Sequence, residues 1–196
     1  MKKFTSTLFI IFLIFSAKAL AADNEMVKRI SEGEESAKIT IIAYESLTCG
    51  HCANFHKDVL PELKKDFIDK GLVKIEFRHF PLDLAAFNAS KIAQCNNDGN
   101  SNILNILYSG QKKWARGKTP EEATGYLKKF LESESVNLDF EKCLSDKAIE
   151  DYVLNDRIDG VKKFEVNATP TIIINDKKFD KALNYKNLKK YLEKLI

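Results

Sequence analysis

Two cysteines three positions apart, in Thr48-Cys49-Gly50-His51-Cys52-Ala53, are the residues of this chain best suited to chemistry. Such a pair can clamp a metal, hook a haem, staple a loop or cycle between dithiol and disulfide. Zinc wants four ligands, commonly a second Cys-x-x-Cys or a distant histidine pair. Cys95 and Cys143 stand alone and far apart in sequence, so no metal is expected. Covalent haem needs a histidine directly after the second cysteine, and that position is Ala53, so no cofactor is expected either. A plain staple closes so small a loop that its chain-entropy gain is slight.

Redox exchange uses what those readings leave idle. Cys49 falls at the start of an expected helix, where amide groups and the helix dipole stabilise an anion, and the thiolate is the reactive form of cysteine. Cys49 is the expected nucleophile and Cys52, one turn further in, the resolving thiol that attacks a mixed disulfide and releases the partner. His51 can add positive charge or a hydrogen-bond donor near the Cys49 sulfur. Favouring the thiolate favours the reduced pair, which makes the disulfide an oxidant.

The flanking pattern supplies the elements that must hold this pair. Ile39-Thr40-Ile41-Ile42-Ala43-Tyr44 is a β-branched apolar run, as in a strand buried on both faces. A helix follows from the cysteines, with Phe55, Val59, Leu63 and Phe67 on one stripe, and Gly71 ends it. Val73 to Arg78 then alternates apolar and polar residues, so strand, helix, strand opens the domain.

From about Leu82 to Phe164 the periodicity is helical, carried by Leu84, Phe87, Ile92 and Ala93, then Ile103, Leu104 and Leu107, then Ala123, Tyr126, Leu127 and Phe130. Thr119-Pro120-Glu121-Glu122 reads as a helix start, with Thr119 as cap and Glu122 closing a capping box. Thr171 to Asn175, a turn at 175–178 and a strand near Phe179 read as a hairpin. A last helix carries Leu188, Tyr191, Leu192 and Leu195 on one face. The expected class is therefore α/β with a helical block at about 82–164.

Met1-Lys2-Lys3, the apolar stretch Leu8 to Ala17 and Ala19-Leu20-Ala21 have the form of a cleavable secretory leader over 1–21, too short to span a membrane. Removing Lys2, Lys3 and Lys18 takes the 31 basic residues to 28 against 28 acidic ones, so 22–196 is formally neutral. A nucleic-acid surface needs a basic excess or stripe, and none is expected. All four cysteines lie after the leader, in a compartment where thiols tend to oxidise, and three pairings are formally possible.

Cys49-Gly50-His51-Cys52 after a first strand, the helical block, and Ala168-Thr169-Pro170-Thr171 before a late strand together make the chain resemble DsbA-type disulfide oxidoreductases of the thioredoxin fold. The resemblance covers nearly all of 22–196. It implies a thioredoxin fold with an inserted helical domain, a cis Thr169-Pro170 bond packed against the cysteines, and a Thr169 backbone offered to an extended substrate. It also implies a structural Cys95–Cys143 disulfide, which some members carry. Such proteins commonly bury an acid six positions before the first cysteine. Here that residue is Ala43. Glu45, of the same strand parity, is either a substitute proton acceptor for Cys52 or a solvated strand end.

The function implied is donation of the Cys49–Cys52 disulfide to reduced exported proteins in the periplasm by a monomer, with a quinone-linked membrane partner of the DsbB type as reoxidant. A reductase or isomerase kept reduced by a donor, a non-catalytic peptide-binding module, and a disulfide isomerase of the eukaryotic secretory lumen are the rivals. His56 is expected on a helix surface, and His79 and Trp114 as packing or surface residues.

Overall fold

A computed structural model describes residues 27–196. The expected leader, 1–21, lies outside the described residues. Strands β1 (Ser31–Glu32), β2 (Ile39–Glu45), β3 (Val73–His79), β4 (Thr171–Ile174) and β5 (Lys177–Lys178) form one mixed sheet in the order β1-β3-β2-β4-β5. β2 and β3 run parallel, with Ile41 opposite Ile75 and Glu45 opposite His79. β4 runs antiparallel to β2 and places Thr171 opposite Tyr44. This register brings the end of β2, just before the cysteines, beside the start of β4, just after Pro170.

Helix runs from Gly50 to Ile68 as α1 (Gly50–Asn54), a π-helical turn (Phe55–Val59), α2 (Leu60–Leu63) and a second π-helical turn (Lys64–Ile68). The expected stripe is the buried one: Phe55, Val59, Leu63 and Phe67 all enter the main core against the sheet. Between β3 and β4 lie α3 (Leu84–Gln94), α4 (Asn102–Ser109), α5 (Gln111–Trp114), α6 (Pro120–Ser133), α7 (Phe140–Ser145) and α8 (Lys147–Phe164). Trp114 is fully buried and donates its indole N–H to the Leu107 carbonyl at 2.8 Å, pinning α5 to α4. Cys95, at the C-terminal end of α3, is disulfide-bonded to Cys143 in α7.

The opposite face of the sheet carries a smaller cluster of Tyr44, Phe80, Val166 and Ile173. Helix α8 presses against it at Gly160, where an added Cβ would stand 2.7 Å from the Tyr44 ring. Only glycine permits that approach.

Several local expectations shift. Thr119 caps α6 by accepting from the Glu122 amide, but the Glu122 carboxylate accepts from the Lys118 N–H, one residue outside the expected box. The hairpin turns on two residues, Asn175 and Asp176, both at positive φ, so its second strand is Lys177–Lys178 and Phe179 follows it. Asn and Asp tolerate this conformation through local side-chain bonding. The last helix, α9 (Tyr185–Leu192), buries Leu188 and Leu192, while Leu195 falls beyond it and is exposed. Leu84 stands exposed at the first turn of α3. β1 escapes the sequence pattern because two polar edge residues have no period.

Candidate active site

Cys49 is the N-cap residue of α1, with extended backbone angles, and Gly50 begins the helix. The approach loop is fastened at each step. The Cys49 N–H donates to the Ser46 carbonyl at 3.0 Å, and Thr48 Oγ1 donates to Asp83 Oδ2 at 2.7 Å. Asp83 also caps α3 by accepting from the Ala86 N–H. On the other side, the buried Gln111 donates its amide Nε2 to the carbonyls of Leu47 (2.8 Å) and Cys49 (3.0 Å). Gln111 thus ties α5 to the loop. Sequence reasoning missed it, since a lone glutamine in Gly110-Gln111-Lys112-Lys113 carries no spacing signal.

Thr169 and Pro170 are joined by a cis bond, and the Thr169 carbonyl accepts the Cys49 S–H at 3.3 Å. The late loop and the cysteine pair, 120 positions apart, are therefore in contact. Cys49 is half-buried, Cys52 fully buried, and both are free thiols.

Their acidities diverge. The Cys49 thiol is lowered to about 5, first by the hydrogen bond it receives from Cys52, against partial burial, with further help from the amides of Cys52 and His51. A carbonyl can accept only from the protonated sulfur, so Thr169 helps to lower the Cys49 pKa through its side-chain hydroxyl, a donor to the thiolate, and not through its carbonyl. Cys52 is pushed far above the ordinary thiol range by burial, by its bond to Cys49 and by the nearby charge of Glu45. One thiol is poised as an anion and its neighbour as a proton-bearing donor. His51 reaches Cys49 through its backbone N–H, and its side chain is exposed.

Glu45 is buried at the end of β2, which removes the solvated reading. Its Oε2 lies 2.8 Å from His56 Nε2, and its Oε1 has no partner. The His56 ring is only 6% exposed and stacks on Tyr108 at a centroid distance of 4.0 Å, so it is no surface histidine. Helix α4 covers that face of the π-helical turn and turns it inward. His79 is also buried, donating its N–H to Asp156 Oδ2 at 3.0 Å, and burial lowers its ring pKa. Among the described residues no cluster of His, Cys, Asp and Glu is arranged to hold a metal, and no helix is long and apolar enough to cross a membrane.

Comparison with known proteins gives a consistent picture. A family profile described as thioredoxin matches residues 25–194. A putative protein-disulfide oxidoreductase of Rickettsia bellii is 30% identical over 158 residues, covering 78% of this chain and 58% of that protein. Disulfide bond formation protein D of Bacillus subtilis is 29% identical over 172 residues, covering 83% of this chain and 74% of the other. The crystal structure of Wolbachia pipientis alpha-DsbA1 superposes with a TM-score of 0.75 at 29% identity, covering 85% of this chain and 90% of that one. The chain spans little more than half of the R. bellii protein, and a match to its Rickettsia prowazekii counterpart covers 34% of that one.

Proposed function

Since the chain belongs to the thioredoxin family and shares the architecture of DsbA-type proteins, we propose that it is a thiol-disulfide oxidoreductase that donates the Cys49–Cys52 disulfide to reduced exported proteins. The observation that carries the direction of transfer is the split between a Cys49 thiol lowered to about 5 and a buried, high-pKa Cys52. A substrate thiolate attacks the accessible Cys49 sulfur, the Cys49–Cys52 bond breaks, and Cys52 leaves and takes up a proton. The substrate's second thiolate then attacks its own sulfur in the mixed disulfide and expels Cys49. Two electrons pass to the pair, and the substrate gains a disulfide. A low-pKa thiol is a good leaving group, so the second step is fast. The Thr169 backbone beside Cys49 supports an extended substrate lying across the cis Pro170.

The Cys95–Cys143 bond fits an oxidising compartment and supports a periplasmic site of action, reached through the leader at 1–21. Reoxidation falls to a quinone-linked membrane partner of the DsbB type, and the working unit is a monomer. A glutathione redox series tests the direction. The expected potential lies nearer the roughly −120 mV of a strong oxidant than the roughly −270 mV of a reductase. A value at the reductase end would reverse the proposed electron flow.

A further inference from the structure

A cavity of about 1110 Å³ opens at Gly50 and His51 and runs between the long helix and α4–α5. It lies on the helical-block side of the cysteines, along residues 50–64, and none of the chemistry above uses it. Fourteen helical steps of about 1.5 Å give a length of roughly 21 Å. Six extended residues at about 3.4 Å each would fill it.

Its charge is one-sided. Lys57 and Lys64 line one wall, Lys112 and Lys113 the other, and Glu32 is the lone carboxylate. Glu32 is already bound by Lys64 at 2.8 Å, and Lys113 reaches Glu134 at 3.4 Å. Lys57 and Lys112 are exposed and pair with no carboxylate among the described residues. In a chain whose part after the leader is neutral, this is a local excess. Gln111 bonds the Cys49 carbonyl and also lines the cavity, so the groove and the reacting sulfur share one anchor.

We propose that this groove receives an acidic, extended segment of the substrate polypeptide flanking the cysteine that reacts with Cys49. The occupant is peptide because the groove is continuous with the sulfur that bonds to a protein thiol, and acidic because the unpaired charges on both walls are positive. The inference rests on the oxidoreductase reading. It adds that substrates are selected by the charge on one flank of their cysteine.

The test uses dithiol peptides with six-residue runs rich in Glu, Ser or Lys on either side of the reacting cysteine. Oxidation by the full protein is measured as kcat/KM and normalised to the reaction of each peptide with an uncharged small disulfide, bis(2-hydroxyethyl) disulfide, which removes the effect of charge on the thiol itself. On one flank the acidic peptide should exceed the basic one by about fivefold, the size that one or two exposed charge pairs supply. The ratio should fall toward one in 0.5 M salt, and it should invert in Lys57→Glu/Lys112→Glu. Equal normalised rates on both flanks, or a ratio unmoved by the double variant and by salt, would overturn the groove while leaving the oxidoreductase reading intact. Failure to oxidise any of the peptides would sink both.

Discussion

Cys49→Ser should lose disulfide transfer to a reduced, unfolded protein entirely, leaving only the background rate of the buffer oxidant. A hydroxyl cannot form the mixed disulfide, so the loss is complete and not a graded fall in rate. The fold should survive. Cys49 is half-buried at a helix N-cap, a position where serine is favoured, and a serine hydroxyl can still donate to the Thr169 carbonyl. Thermal unfolding of the variant should therefore stay close to that of the reduced parent at about pH 4, where the parent's Cys49 is protonated, and fall below it at neutral pH, where the parent gains the stabilisation of its thiolate. A variant that still oxidised the substrate would show that the chemistry lies elsewhere, and a chain that only bound peptides would be unaffected.

Removing the second cysteine pair should act on stability instead. Cys95→Ala/Cys143→Ala opens a loop of 48 residues, which the chain-entropy account values at about 4 kcal/mol. For a domain of this size that corresponds to a fall in Tm of roughly 8–16 °C. The bond joins the end of α3 to α7, and Cys143 is fully buried in the main core, so loss of its sulfur also leaves a small void. Calorimetry of both proteins with Cys49 and Cys52 reduced isolates this contribution. A shift of only a degree or two would mean that helix packing alone holds α3 against α7.

The part of the site that was legible in the sequence is the part carried by local pattern. A β-branched run, Cys49-Gly50-His51-Cys52 at a helix start and a late Thr169-Pro170 mark the two segments that meet, and their 3.3 Å contact is a consequence of β2 pairing with β4. What could not be read depends on which helix covers which face. His56 occupies a position that, on a lone helix, faces water. It is buried because α4 lays Tyr108 over it, and Glu45 then has a partner instead of solvent. Gln111 was silent for the same reason, since its two bonds go to carbonyls more than sixty positions away. The charged groove is likewise a product of packing, with its lysines drawn from sequence segments some fifty residues apart.

The central claim is that the fold stabilises the Cys49 thiolate, and ultraviolet titration of the reduced protein tests it most directly. A thiolate absorbance step with its midpoint near 5 is expected, assigned to Cys49 by its absence in Cys49→Ser. Because the folded value lies below the unfolded one, near 8.5, this group adds stability to the reduced form as pH rises from about 5 to 9 and withdraws it as pH falls through 5. A midpoint at or above 8, with no such trend in reduced-state stability, would contradict the account and leave Cys49 an ordinary thiol with no built-in bias toward oxidising its partners.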